Sequence, residues 1–155
     1  MMPVEIIPFK KEYAVHFKDL NVTWLKKYFY VEEKDAQLLD DCENSILNKG
    51  GYIYFAKYNN QIVGCFSLIP YDKDGFELGK MAVDPAYQGL RIGQQLLEFA
   101  IAMGRDKKWN KIVLYSSTKL PRALYIYKKY GFKEVVLESD LPYERSDIKM
   151  ELPLV

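Results

Sequence analysis

The stretch Gln88-Gly89-Leu90-Arg91-Ile92-Gly93 carries the residue types that a phosphate site needs. An apolar run, Phe76 to Val83, precedes it, Asp84-Pro85 breaks that run, and an amphipathic pattern begins at Ile92. A strand that feeds a glycine-containing turn into a helix start leaves backbone N–H groups unpaired at the positive end of the helix dipole. Two glycines let the backbone come close to a ligand. The turn lacks the Gly-Lys-Ser/Thr ending of a P-loop and the spacing of the dinucleotide fingerprint. Taken alone, the same residues also suit a plain strand-to-helix turn. A second stretch runs from Ala123 to Phe132. Ala123, Leu124 and Tyr127 fall on one helical face, which should look at a sheet. A tyrosine on such a face brings a hydroxyl that needs a partner, so Tyr127 marks a polar group at a crevice.

The elements that position these stretches follow from periodicity. Val4 to Ile7 reads as a first strand. From Lys10 to Phe29, the spacing of Tyr13, Phe17, Leu20, Trp24 and Tyr28 draws one helical stripe. A second helix is expected over Glu32 to Leu47, with Asn48-Lys49-Gly50-Gly51 as its stop. Tyr52–Tyr58, Ile62–Ile69 and Phe76–Val83 read as a three-stranded meander, with Asn59-Asn60 as a hairpin turn. A long helix follows from Ile92 to Lys107, its inner stripe formed by Ile92, Leu96, Leu97, Ala100, Ile101 and Met103. Lys111–Tyr115 is a strand. Pro121–Tyr130 is a short helix with Pro at its start and Gly131 at its end. Glu134–Leu137 and Ile148–Leu152 close the chain as strands. The order β-α-α-β-β-β-α-β-α-β-β is that of an α/β (α+β) domain, a mixed six- to seven-stranded sheet with helices on both faces.

Composition narrows the function. The 155 residues suit one domain, and 49% hydrophobic with 28% charged residues is ordinary for a packed chain. The net charge of +1 argues against a dedicated nucleic-acid binder. Positive charge concentrates after residue 100, where an anionic ligand would be favoured. Cys42, Cys65 and the lone His16 form no metal-ligand cluster, and Cys65 reads as a small core residue. No apolar stretch approaches a membrane span, and Met1 to Phe9 does not read as a secretory leader, so the cytoplasm is the expected location.

Together, Gln88–Gly93 and Tyr127–Phe132 resemble the GNAT superfamily of acetyl-CoA-dependent N-acetyltransferases. Their marks are a Q/R-x-x-G-x-G/A turn after the fourth strand and a later Y-x-x-x-G-F that ends a helix. The strand order extends the resemblance over the full length. Two departures stand out: Arg91 replaces the middle glycine, and Ser116-Ser117-Thr118 follows the fifth strand where many relatives carry Asn.

The resemblance implies acetyl-CoA as co-substrate, and no metal. Its diphosphate should rest on amides of Gln88, Gly89, Leu90, Arg91, Ile92, Gly93 and Gln94. Its pantetheine arm should pair with the backbone of Met81, Ala82 and Val83, with Ser117 as a hydroxyl contact. Arg91 could add a charge-assisted contact to phosphate, and Lys119, Arg122, Lys128 and Lys129 could meet the ribose phosphate. Glu77 is the expected general base and Tyr127 the acid that protonates the departing thiolate. Alternation along the fourth strand puts Glu77, Gly79 and Met81 on one face. A small-molecule amine should enter from the opposite side, walled by Tyr28, Phe29, Tyr143 and Arg145, with Arg145 suited to a carboxylate. The acids from Glu32 to Glu43 either steer a cation or form a solvated helix face. A homodimer is compatible with such meanders. Two other functions remain: a peptide or protein N-acetyltransferase, and a CoA-binding regulatory module without catalysis.

Overall fold

The computed structural model describes residues 3–141 and 143–155. Seven strands form one sheet: β1 (Glu5–Pro8), β2 (Tyr52–Tyr58), β3 (Gln61–Pro70), β4 (Gly75–Val83), β5 (Lys111–Ser116), β6 (Lys133–Val135) and β7 (Ile148–Pro153). Their spatial order is β1-β2-β3-β4-β5-β7-β6. Every neighbouring pair is antiparallel except β4 and β5. Asn59 and Asn60 both adopt left-handed backbone, which matches the twist of the β2–β3 hairpin.

Helices cover both faces, as expected. α1 (Ala14–Tyr28), α2 (Glu33–Asp40) and α3 (Cys42–Ser45) lie over one, where Phe17, Leu25, Leu39, Ile46 and Phe55 are buried together. α4 (Ile92–Asp106) lies over the other, where Ile92, Leu96, Leu97, Ala100, Ile101 and Met103 pack on Phe66, Leu68, Ile112 and Met150. α5 (Pro121–Lys129) packs on that second face through Leu124, Ile126 and Tyr127. Among the described residues, no helix is long and apolar enough to cross a membrane.

Two expectations need correction. The helix predicted over Glu32 to Leu47 is broken at Asp41, whose φ of −143° and ψ of 63° are not helical. Side chains there compete with the backbone: the Ser45 hydroxyl donates to the carbonyls of Asp41 (2.8 Å) and Leu38 (3.1 Å), and Asn44 donates to the Asp41 carboxylate (2.8 Å). In α1 the fully buried line is Phe17, Asn21 and Leu25. Leu20 and Trp24 flank it, and Tyr28 reaches solvent.

Candidate active site

The parallel pair β4–β5 is joined over only three rungs: Gly75 with Lys111, Phe76 with Ile112, and Glu77 with Val113. Beyond Glu77 the strands part. β5 stays paired to β7 along its other edge as far as Ser116, so Leu78–Val83 presents an edge that β5 does not pair. A stack of Phe76 on Trp109, with centroids 3.9 Å apart, stands at the closed end. The opening is a cleft of about 680 Å³, lined on one side by Glu77–Val83 and on the other by Leu114–Ser117.

β4 is kinked in this cleft. Cys65 pairs with Ala82 and Ser67 with Gly79, so Lys80 and Met81 together oppose Phe66 in a β-bulge. Lys80 takes a left-handed φ of 51°. The bulge shifts the alternation, so Glu77, Gly79 and Met81 do not share one face as expected. Met81 and Val83 pack with Phe76 and Leu78 on the α4 side, and Ala82 packs on the α1 side. The Ser67 hydroxyl donates to the Gly79 carbonyl (3.1 Å) and the Cys65 thiol to the Lys80 carbonyl (3.5 Å). Both carbonyls therefore point back at β3. In a trans peptide the N–H points opposite to the C=O, so the N–H groups of Lys80 and Met81 point away from β3, toward the gap. Asn21 supports the arrangement by donating to Cys65 Sγ (3.4 Å).

At the far end of the β4 edge stands the start of α4. Arg91 is its N-cap and supplies no side-chain cap. The N–H groups of Ile92, Gly93 and Gln94 have no acceptor within the helix, as at any helix start. Gly89 (φ +89°) and Arg91 (φ +61°) bend the turn through left-handed backbone, so Arg91 adopts the conformation that a glycine would take freely. Its guanidinium donates to Gln94 Oε1 (3.0 Å), which also accepts from the Tyr130 hydroxyl (3.3 Å). Gln88, Gly89, Arg91, Ile92, Gly93 and Gln94 line the cleft. Leu90, expected in the cradle, does not. Its side chain is 40% exposed, and its carbonyl accepts from Gln95 Nε2 (3.5 Å).

The family model for the acetyltransferase (GNAT) domain matches residues 49–134, more than half of the chain. The chain belongs to the GNAT acetyltransferases. A GNAT acetyltransferase from Staphylococcus aureus Mu50 superposes with a TM-score of 0.86 at 26% identity, over 99% of this chain and 100% of that one. A GNAT acetyltransferase from Elizabethkingia anophelis, solved with acetyl-CoA bound, superposes with a TM-score of 0.76 at 27% identity, over 97% and 98% of the two chains. In sequence, the rat N-acetyltransferase 8F1 is 26% identical over 99 residues, 61% of this chain and 45% of its own length. The chain thus spans about half the length of such sequence relatives.

In this GNAT domain the remaining expected residues fall around the same cleft. Tyr127 lines it from α5, its ring stacked on Phe132 at 5.9 Å, and burial pushes its hydroxyl above the ordinary tyrosine value. Glu77 lines it from the last β4–β5 rung. Burial raises its carboxyl above the usual range, although Lys34, Lys80 and Lys149 pull it down. Ser117 is buried beside the cleft, its Oγ accepting from the Lys119 N–H (3.1 Å). Arg122 lines the cleft and Lys119 a smaller adjoining groove, whereas Lys128 and Lys129 lie on the exposed side of α5.

The acceptor side departs from expectation. Tyr28, Phe29, Tyr143 and Arg145 do line the cleft, joined by Trp24. Arg145, however, is not open to a substrate carboxylate. Its guanidinium grips Asp35 through two nitrogens (2.8 and 3.0 Å) and Glu32 through one (2.9 Å). Asp35 is fully buried and also binds Lys80 Nζ at 2.5 Å. Burial alone would raise its carboxyl, but Arg145 and Lys80 hold it below the ordinary value. So the acidic run after residue 32 divides: Glu33, Asp40 and Asp41 are exposed, while Glu32 and Asp35 turn inward. Sequence reasoning missed Lys80, Asp35, Asn21 and Trp24. Only the i, i+3 pair Glu32/Asp35 hinted at its place, since it forms a reciprocal cap at the start of α2.

Proposed function

We propose that this chain, as one catalytic unit, moves an acetyl group from acetyl-CoA to the primary amine of a small molecule by direct attack in a ternary complex, in the cytoplasm. The observation that carries the reading is the unpaired β4 edge. It runs from a half-buried carboxylate at Glu77, past two inward N–H groups at the bulge, to the free amides at the start of α4. An amide-bearing arm can pair with such an edge as an added strand, and a diphosphate can sit on the helix start.

The side chains then divide the chemistry. The N–H groups of Lys80 and Met81 donate to the thioester oxygen as charge develops on it. Glu77 accepts a proton from the ammonium, directly or through water, so that the neutral amine attacks; burial raises its pKa and so makes the carboxylate a stronger base than an exposed glutamate. The C–N bond forms, the C–S bond breaks, and Tyr127 delivers its proton to the thiolate. Because Arg145 is committed to Asp35 and Glu32, amines without a carboxylate fit the acceptor end better than amino acids.

Calorimetry with acetyl-CoA and thiol release over a panel of polyamines, aminoglycosides, amino acids and peptides test the proposal. Saturable acetyl-CoA binding and turnover on carboxylate-free small amines are expected. Activity only on protein lysines would overturn the small-molecule acceptor, and binding without release on any amine would make the chain a regulatory module.

A further inference from the structure

Lys80 is the one non-glycine residue within a strand that adopts left-handed backbone among the described residues. A side chain with a Cβ is strained there, and glycine or asparagine would serve the kink better. A lysine at such a place is conspicuous, and its side chain is almost wholly enclosed, 5% exposed. Its ammonium donates to Asp35 Oδ1 (2.5 Å) and to the Tyr143 hydroxyl (3.2 Å), and it stands 4.5 Å from the centre of the Tyr143 ring. Asp35 has no spare capacity. Besides Lys80 it accepts from both Arg145 nitrogens and from the Glu32 N–H (2.9 Å). The network thus ties the β4 bulge to the start of α2 and to the loop between β6 and β7. Buried ion pairs seldom add net stability over apolar packing, but they fix geometry.

The carbonyls of Gly79 and Lys80 are pinned to β3 by Ser67 and Cys65. The side chain of the same residue is pinned to α2 by Asp35. A bulge held from two directions has one orientation for the N–H groups that face the gap. We infer that Lys80 is a positioning residue: clamped by Asp35 and Tyr143, it holds the kink that aims the N–H groups of Lys80 and Met81 at the thioester carbonyl. The inference deepens the acetyl-transfer reading and rests on it.

The test is the carbonyl stretch of acetyl-CoA, carbon-13 labelled at the thioester carbonyl, bound to the intact protein, read by difference infrared spectroscopy beside steady-state kinetics. Lys80→Gly keeps the left-handed backbone free of strain and removes only the clamp, and Asp35 retains Arg145. In the wild type, binding should lower the carbonyl frequency, because two N–H donors polarise the bond. In Lys80→Gly that shift should shrink, and kcat should fall about tenfold or more, uniformly over amine acceptors. The Kd for acetyl-CoA should stay within about threefold of wild type, since the diphosphate seat is untouched.

Should Lys80→Gly lose its cooperative thermal transition, Tyr143→Phe, which removes one contact to the ammonium, should show the same change in smaller measure. A full carbonyl shift with unchanged kcat in either folded variant overturns the role of Lys80 and leaves the acetyl-transfer reading standing. A loss confined to certain amines makes Lys80 an acceptor contact and overturns its positioning role. Absence of binding or of a shift in the wild type removes the acetyl-transfer reading, and this inference with it.

Discussion

The two ends of the cleft are built from different materials. At the α4 end the polar groups are main-chain amides on a turn bent by Gly89 and Arg91, and Gln88, Gly89 and Arg91 stand largely in solvent. At the Glu77 end they are side chains. Asp35, Lys80, Arg145 and Glu32 are enclosed and saturated by one another, under an aromatic lid of Tyr143. Amides can be supplied by any sequence that turns correctly, so the first end depends on backbone shape more than on particular side chains. Interlocked charges tolerate few exchanges, so the second end depends on particular side chains from distant parts of the chain.

That contrast can be broken by mutation. The largest effect is expected from Asp35→Ala, which strands Lys80 and Arg145 inside the protein. Stability should fall by about 3–5 kcal/mol, read as the urea midpoint. The Asp35 carboxyl titrates below its unfolded value of 3.8, so its stabilising contribution is complete above that pH and is lost as pH falls through the lower folded value. The variant should therefore lack this acid limb, and an unchanged limb would assign it elsewhere. Next comes Glu77→Gln, which should lower kcat/KM by about a hundredfold, with the fold and acetyl-CoA binding intact. The wild-type rate should fall with acid from a higher pH than an ordinary glutamate would give, because burial raises this carboxyl; a pH–rate profile of Glu77→Gln that keeps that limb would point to another base.

A smaller loss should follow Tyr127→Phe, about tenfold in kcat with little change in acetyl-CoA affinity. Equal kcat would remove Tyr127 from the acid role. The smallest effect is expected from Arg91→Gly. Relief of left-handed strain should stabilise the fold by about 1 kcal/mol, visible as a higher thermal midpoint. Affinity for acetyl-CoA should drop only a few-fold if amides dominate the turn, as measured by calorimetry. A collapse of affinity would show that the guanidinium, not the backbone, carries that end.

The same division decided what could be read from the sequence. The α4 end was legible because its signals are local: an apolar strand, a glycine turn and a periodic helix lie within one continuous stretch, and α4 starts at Ile92 as its stripe predicts. Strand β2 likewise runs from Tyr52 to Tyr58 as its aromatic alternation suggests. The other end was opaque because its partners lie far apart in the chain. Asp35 looks like one acid among several on a wet helix, Lys80 like an outward lysine on a strand, and Arg145 like a free cation. Only the tertiary fold brings them within hydrogen-bonding reach. The bulge was hidden as well, because a left-handed residue in mid-strand is normally announced by glycine, and here it is lysine. One displaced residue was enough to put Met81 on the opposite face from Glu77.

The brief rung count between β4 and β5 has a bearing on how the chain reaches this state. β2 to β4 form a meander whose hairpins close locally, whereas β5 must return through a crossover that contains all of α4. Contacts across such a span are costly in loop entropy and form slowly. Until β5 docks, the whole outer border of β4 lies bare, a template on which a second unfinished chain could add its own strand. The kink at Lys80 interrupts that border before it becomes long and flat. The bend at Lys80 thus also shortens the flat edge that another chain could extend.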